Sequence, residues 1–475
     1  MANLLESYKN RLAISESVHQ KSHNGAKMTS AKKLMIASVL NNTSKFMNEA
    51  FDSSAATQRS ALNDYKKFCL NVATVALPNL ILPELMLTQP MTSISGYVTY
   101  LRYTAGVTKG GVAEDQLFGS VYRHGEMNED RANYTSDKVV ETIKADATTF
   151  TPSWVKASNF VLITTDAEGK VTRTPIEVAK DYNGEDAITF DAVEGAVSAK
   201  ISYVYDNVAI PQQTKPTAIP TLKAAMDAID LHAHARRIAV YYSQIAAFQA
   251  KTDYGFDLAD QLSTQAQGEL AYEIDTEGVL MLYKGAEKDK ELDFESYQRS
   301  NQNTYISRSQ YYEYFTEIIA KAKKIMYQRT QKFAPNYMVC GANVLTIMPY
   351  VKGWNAAPAS NVNGPYFAGT VDGLKVYCSP SIPENDFFFG VNGSDLQTSA
   401  AVYAPYMAIV PTQLLGFADG GMSQGFSTMY DMKLLSTYRG NWNKFDEVTG
   451  VRTPDAVDDK EGTHSYLLVG GQFIV

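Results

Sequence analysis

Cysteine is nearly missing from this sequence: three residues in 475, Cys69, Cys340 and Cys378. Odd in number and far apart, they support neither a disulfide framework nor a zinc site, and point to a reducing compartment. A basic excess is missing as well. The net charge of −8 and a pI near 5.4 argue against a sequence-reading nucleic-acid binder, which carries a basic face. The opening MANLLESYKNRLAISES is charged throughout and lacks the apolar core of a secretory signal. The apolar run that begins at Val75 is broken by Pro78, Asn79, Pro83, Glu84 and Gln89, so it falls short of the ~20 apolar residues of a membrane helix.

The usual signatures of chemistry are sparse. No Gly-rich loop ends in Lys-Ser/Thr, no G-x-G-x-x-G follows a strand, and no H-E-x-x-H is present. His232 and His234 would share one face of a strand, a spacing that a metal pair can use. No acidic cluster accompanies them, and two partly exposed histidines are the commoner outcome. Cys340 and Cys378 lie in apolar strands and read as small core residues rather than nucleophiles. The acidic run DAVDDKEG, from Asp455 to Gly462, reads as a solvated loop. The expectation is a protein without enzymatic activity, cofactor or metal.

What is abundant is tyrosine, 30 residues, which suits broad contact surfaces because the ring can be buried while the hydroxyl reaches a polar partner. Charge is unevenly spread: residues 1–60 hold eight Lys/Arg against four Asp/Glu, a balance of +4, leaving −12 for the rest. A basic terminus on an acidic body suggests an arm that contacts something other than its own core.

Thr29 or Ser30 caps an expected helix through Phe51, and a second helix is expected from about Ser60 to Val75. Residues 91–103 turn to strand, and 104–137 form a Gly-rich, polar excursion. From 138 to 210, short β-rich runs alternate with turns such as Asn183-Gly184, which predicts an inserted small β-sandwich or barrel of its own. Asp257 reads as the N-cap of a long helix carrying Leu258, Leu262, Ala266, Leu270 and Ile274. Another continuous helix is expected through SQYYEYFTEIIAKAKKIMYQRT, with Tyr311, Phe315, Ile318, Ile319, Ala322, Ile325 and Met326 on one face. Beyond Ala334 short strands dominate to the C-terminus.

The stretch LPNLILPELMLTQPMTSISGYVTYLRY is similar to the P-N-L…Q-P-M…G-x-V…L-R signature of major capsid proteins of large contractile-tailed bacteriophages, the T-even-like coat proteins among them. The matching residues are Pro78, Asn79, Leu80, Gln89, Pro90, Met91, Gly96, Val98, Leu101 and Arg102. Later pieces keep the family's order: AHARRIAVYYSQIAA leading into the long helix, then APNYMVCGANVLTIMP, then GLKVYCSPSIPENDFFFGVNG. The resemblance implies an α+β, Hong Kong 97-type phage coat fold, with an N-terminal arm at 1–59. A peripheral domain with its spine helix would take 60–103, 231–335 and 416–475. An extended loop, 104–230, would carry the β module, and an axial domain would span 336–415.

By the same resemblance the chain would self-assemble as hexamers and pentamers into an icosahedral head that encloses double-stranded DNA without reading its sequence. Its partners would be further copies of itself, a scaffold or core protein, a portal and a decoration protein, with no membrane involved. It would be a late structural protein of the virion capsid, assembled in the host cytoplasm. Coat proteins of this kind lose an N-terminal segment to a prohead protease that favours Leu/Ile-x-Glu. Leu4–Glu6 and Ile14–Glu16 fit that pattern, making Glu6 and Glu16 candidate cleavage positions, but so does Leu82–Glu84. The alternatives are an exported surface-layer or adhesin-type protein, a tail-sheath protein, and a metal-dependent hydrolase built on His232 and His234.

Overall fold

Asp257 begins the longest helix by accepting hydrogen bonds from the amides of Ala259 and Asp260. That cap satisfies two of the amides a helix start leaves unpaired. The helix runs Leu258–Gly285, 28 residues, and buries Ala266, Leu270 and Ile274 as their spacing predicts. The computed structural model that shows this describes residues 2–22, 27–51, 70, 74, 77–107, 109, 134–206, 220–435, 444–445, 452–453 and 467–474, without 145–146, 155, 167–169, 180, 192–195, 256, 301–305, 331–332, 358–363, 395 and 413–414. The runs at 104–137 and Ser60–Val75 fall largely outside these residues. Cys69 and the acidic segment 455–462 fall wholly outside them.

Two sheets pack with the long helix into one core. In the first, Leu87–Thr88 pairs in parallel with Ala401–Pro411, which is followed by antiparallel Gly421–Leu434 and His234–Ser243. The second, eight-stranded, centres on Tyr337–Cys340, flanked by Asp386–Gly390 and Leu374–Cys378. The DFFFG strand is buried at every position, as a central strand covered on both faces must be.

Ser95–Ala105 and Leu222–His232 form a separate two-stranded ribbon of 11 antiparallel pairs. Met91, Val98, Leu231, Ala233, Val402 and Ala404 pack together at its base and tie it to the first sheet. Residues 138–204 build a four-stranded sheet in the order Lys138–Ile143, Ala196–Val204, Ser158–Asp166, Val171–Pro175. It has its own core around Trp154, Phe160, Ile201 and Tyr203. Its Asn183-Gly184 turn requires glycine: Gly184 has φ +82°, and a Cβ there would lie 2.5 Å from the Lys156 backbone.

Two expectations need correction. The N-terminal region does not stand away from its own core. Ser30–Phe51 buries Met35, Ile36, Val39, Leu40 and Met47, and Leu12 joins the same cluster. The apolar stripe of that helix outweighs the basic charge, which stays on its outer side except at Lys32. The second correction lies at Tyr314, where the expected single helix divides into Arg308–Glu313 and Phe315–Thr330. There the Glu317 amide reaches Tyr314 O at 2.8 Å, an i→i+3 bond that tightens the chain. The seven residues expected on the inner face are all buried nevertheless.

Candidate functional site

The Pro78–Arg102 stretch holds the N-terminal helices, the long helix and both sheets together. Its first part, Leu77–Asn79 and Leu82–Leu85, is two short helical turns. The Ile81 and Leu82 amides at the start of the second turn donate to the carboxylate of Asp275, on the long helix, at 3.2 and 3.3 Å. Burial pushes the Asp275 carboxyl up to about 7, against the pull of those two amides and of Lys32. Leu80 and Pro78 are buried as well.

Glu84 is the hub of the stretch. Its carboxylate lies 3.7 Å from Lys32 Nζ, 4.0 Å from His19 Nε2 and 3.2 Å from Lys375 Nζ, and accepts from the Tyr377 hydroxyl at 2.5 Å. Lys32 comes from the N-terminal helix Ser30–Phe51, and Lys375 and Tyr377 come from the second sheet. Burial drives the Lys32 ammonium down from its ordinary value, with Glu84 opposing, and raises the Tyr377 phenol. Leu82–Glu84, which fits the Leu/Ile-x-Glu pattern, lies in a helical turn with Leu82 buried and Pro83 and Glu84 half-buried.

The second part of the stretch extends the first sheet. The Gln89 amide donates to Tyr403 O at 2.9 Å and the Met91 amide to Pro405 O at 3.1 Å, past the parallel pairing of Leu87 with Val402. Pro90, between them, has no amide to offer and needs no partner there. The Asn42 side-chain amide bridges Met91 O and Tyr406 O at 2.6 and 3.1 Å, fastening the N-terminal helix to this edge. Gly96, Leu101 and Arg102 lie in the ribbon opposite Leu231, Met226 and Ala225. The signature residues thus trace one continuous path, from the two short turns along the edge of the first sheet into the ribbon. Glu6 is exposed in the helix Ala2–Ser7, and Glu16 pairs with Lys33 at 2.9 Å in Lys9–Ser22.

His232 and His234 do not share one strand. His232 ends the ribbon opposite Ser95 and His234 opens the next strand opposite Tyr430, the chain changing sheets at Ala233. Their rings lie 5.2 Å apart, His232 Nδ1 is 2.8 Å from Ser95 Oγ, and both residues are exposed. Among the described residues no three His, Cys, Asp or Glu side chains gather as metal ligands. Cys340 and Cys378, distant in sequence, are register partners on neighbouring parallel strands. Their contact raises the Cys340 thiol and, with the Tyr366 hydroxyl, lowers that of Cys378 to about 7.

A G-x-S-x-G spacing, the nucleophile elbow that the sequence was expected to lack, is present at Gly421-Met422-Ser423-Gln424-Gly425. It lies inside the strand Gly421–Leu434, not at the sharp strand-to-helix turn that makes such a serine a nucleophile. No helix among the described residues is long and apolar enough to cross a membrane.

Residues 62–462 match the family model described as major capsid protein Gp23. The chain belongs to that family. No curated protein matches it. Among solved structures, a chain from Microbacterium phage Oxtober96 is similar at 9% identity and TM-score 0.37, covering 83% of this chain and 91% of that one. A chain from Mycobacterium phage Che8 is similar at 14% identity and TM-score 0.31, covering 52% and 74%. A chain from the capsid of Myoviridae phage XM1 is similar at 8% identity and TM-score 0.32, covering 56% and 82%. The family match, not these superpositions, carries the assignment. Its fold is α+β, and as a major capsid protein it self-assembles into a shell and resides in the virion capsid. Membership of a structural family speaks against a catalytic role. The surface-layer, adhesin, tail-sheath and hydrolase readings find no support in these findings.

Proposed function

We propose that the subunit closes as hexamers and pentamers into an icosahedral head around double-stranded DNA, and that it assembles in the host cytoplasm on a scaffold or core protein with a portal at one vertex. The observation that supports this most is the length of the family match, 62–462, which takes in the whole Pro78–Arg102 path. In this reading residues 1–59 are the arm, and 60–103, 231–335 and 416–475 the peripheral domain around the spine helix. Residues 104–230 are the extended loop with its β module, a surface for a decoration protein, and 336–415 are the axial domain.

The ribbon supports an intersubunit role. A two-stranded ribbon is marginal alone in water, and this one exposes Tyr97, Met226 and Leu222. Packing against a neighbour would remove that surface from water. An acidic body suits the inside of a DNA container, since it keeps the genome from adhering. Glu6 and Glu16 remain the candidate processing positions. Both lie in helices, so a protease would first have to unwind them.

The test is to express the full-length chain, with and without its scaffold, and to examine it by negative-stain electron microscopy and sedimentation velocity. Closed shells, or hexamers and pentamers, are the expected products. Helical tubes, or no shell with scaffold present, would overturn the reading.

A further inference from the structure

The end of the first sheet farthest from the ribbon carries a cluster of bare apolar side chains. Tyr241, Ile245, Phe248, Tyr254, Leu415 and Phe417 are 51–77% exposed, six of the seventeen large apolar residues left open among the described residues. The backbone places most of them together. Tyr241 and Leu415 flank Ser423 from its two sides, in one row across three strands. The rings of Tyr241 and Phe417 lie 6.2 Å apart, and the Gln244 amide, opening the helix Gln244–Asp253, donates to Gly420 O at 3.0 Å. Ile245 and Phe248 sit three apart on that helix, hence on one side of it.

The helix itself is weakly held. Ser243 caps it through the Ala246 amide, yet Ala250 is its one buried residue. Ten residues with so little tertiary packing make a marginal helix in water. Ile245 and Phe248 stay exposed on it beside Gln244, Gln249, Lys251, Thr252 and Asp253, so its two largest apolar side chains contribute nothing to its own packing.

Size decides what kind of partner fits. At these exposures, with aromatics of ~150–250 Å² each, the five side chains other than Tyr254 offer on the order of 600 Å² of apolar surface. That reaches the upper end of the largest patch of a typical monomer, ~300–600 Å², and is a large part of the ~800 Å² that each partner buries in a standard interface.

We propose that this patch, centred on Phe248 and Tyr241, docks a second copy of this chain. The proposal deepens the shell reading and rests on it for the identity of the partner, since a shell subunit meets its own kind at high local concentration. The contact is separate from the ribbon, which leaves the same sheet at its opposite end.

The experiment compares the full-length wild type with Phe248→Glu by sedimentation velocity and electron microscopy, after circular dichroism has verified that both fold. A second variant, Phe248→Cys, reports maleimide labelling in assembled and dissociated protein. The expected result is a folded Phe248→Glu chain whose assembled fraction falls at least tenfold. In Phe248→Cys, the introduced thiol should be labelled at least tenfold more slowly after assembly. Equal assembly of wild type and Phe248→Glu, or equal labelling in both states, overturns the patch and leaves the shell reading intact. Association of the wild type into helical tubes, lost in Phe248→Glu, upholds the patch and removes the shell reading. A wild type that never exceeds a monomer, with scaffold present, overturns both.

Discussion

The Lys32 ammonium lies 3.7 Å from the Glu84 carboxylate, with side chains only 3% and 12% exposed, although 52 residues separate them. Breaking one member of a buried pair leaves the other charge without compensation and costs ~3–5 kcal/mol. Glu84→Ala is therefore expected to lose that much stability, since it also strips Tyr377 and Lys375 of their partner. The double variant Lys32→Met/Glu84→Gln removes both charges and should recover most of the loss. Urea unfolding of the two variants checks this; a loss below ~1 kcal/mol for Glu84→Ala would show that the cluster relaxes around water.

Asp275 sets a pH dependence. Its carboxyl is about 7 in the folded chain, because burial penalises the charge, against an ordinary value of 3.8. The folded state therefore binds the proton more tightly than the unfolded one. The stabilising contribution is complete below pH ~4 and is lost as pH rises to ~7, a change on the order of 2 kcal/mol between pH 5 and 8. Asp275→Asn keeps an acceptor for the Ile81 and Leu82 amides and removes the titration. Melting temperatures of wild type across that window should fall with rising pH, and those of the variant should stay level. Parallel curves would assign the slope to other groups.

Local pattern made much of this legible. The Asp257 cap and the Leu270–Ile274 spacing lie within one helix, and the strand DFFFG is apolar after its first residue, so short-range rules suffice. The Pro78–Arg102 signature was found by resemblance, while its physical role depends on partners far along the chain. Asp275 meets the Ile81 amide across 194 residues, and no local rule says which carboxylate will be buried there. Cys340 and Cys378 looked isolated because parallel register, which brings them together, is written in the whole sheet. The break at Tyr314 escaped notice because the apolar period runs through it unchanged. The basic balance of residues 1–60 misled because net charge ignores the apolar stripe of Ser30–Phe51.

The same cysteines give a reactivity prediction. Cys378 is 6% exposed and Cys340 0%, and hydrogen bonds from Cys340 and Tyr366 hold the Cys378 thiol at about 7. The thiolate is the reactive form, so iodoacetamide at pH 7 should modify Cys378 before Cys340. Tyr366→Phe deletes one donor, raises the Cys378 pKa and slows its alkylation severalfold. Peptide mass spectrometry after timed alkylation reads both sites; equal rates at the two cysteines would mean that local opening, not thiol acidity, governs access.

Gly278 and Leu82 provide the sharpest packing test. A Cβ on Gly278, in the middle of the long helix, would lie 2.3 Å from Leu82 Cδ2 and 2.7 Å from Cδ1. Leu82 is 0% exposed, so its tip has nowhere to turn. Alanine would gain ~1 kcal/mol of helix propensity, but overpacking a filled core costs ~1–3 kcal/mol, and the second effect should win. Gly278→Ala is expected to destabilise by up to ~2 kcal/mol. Leu82→Ala alone should cost ~2–5 kcal/mol through the cavity it leaves. Together they should cost less than their sum, because the new methyl occupies part of that cavity. A double-mutant cycle by chemical denaturation measures the coupling. Strict additivity would mean that the long helix shifts away from the Leu82–Leu85 turn instead of holding the contact that joins the signature stretch to the body.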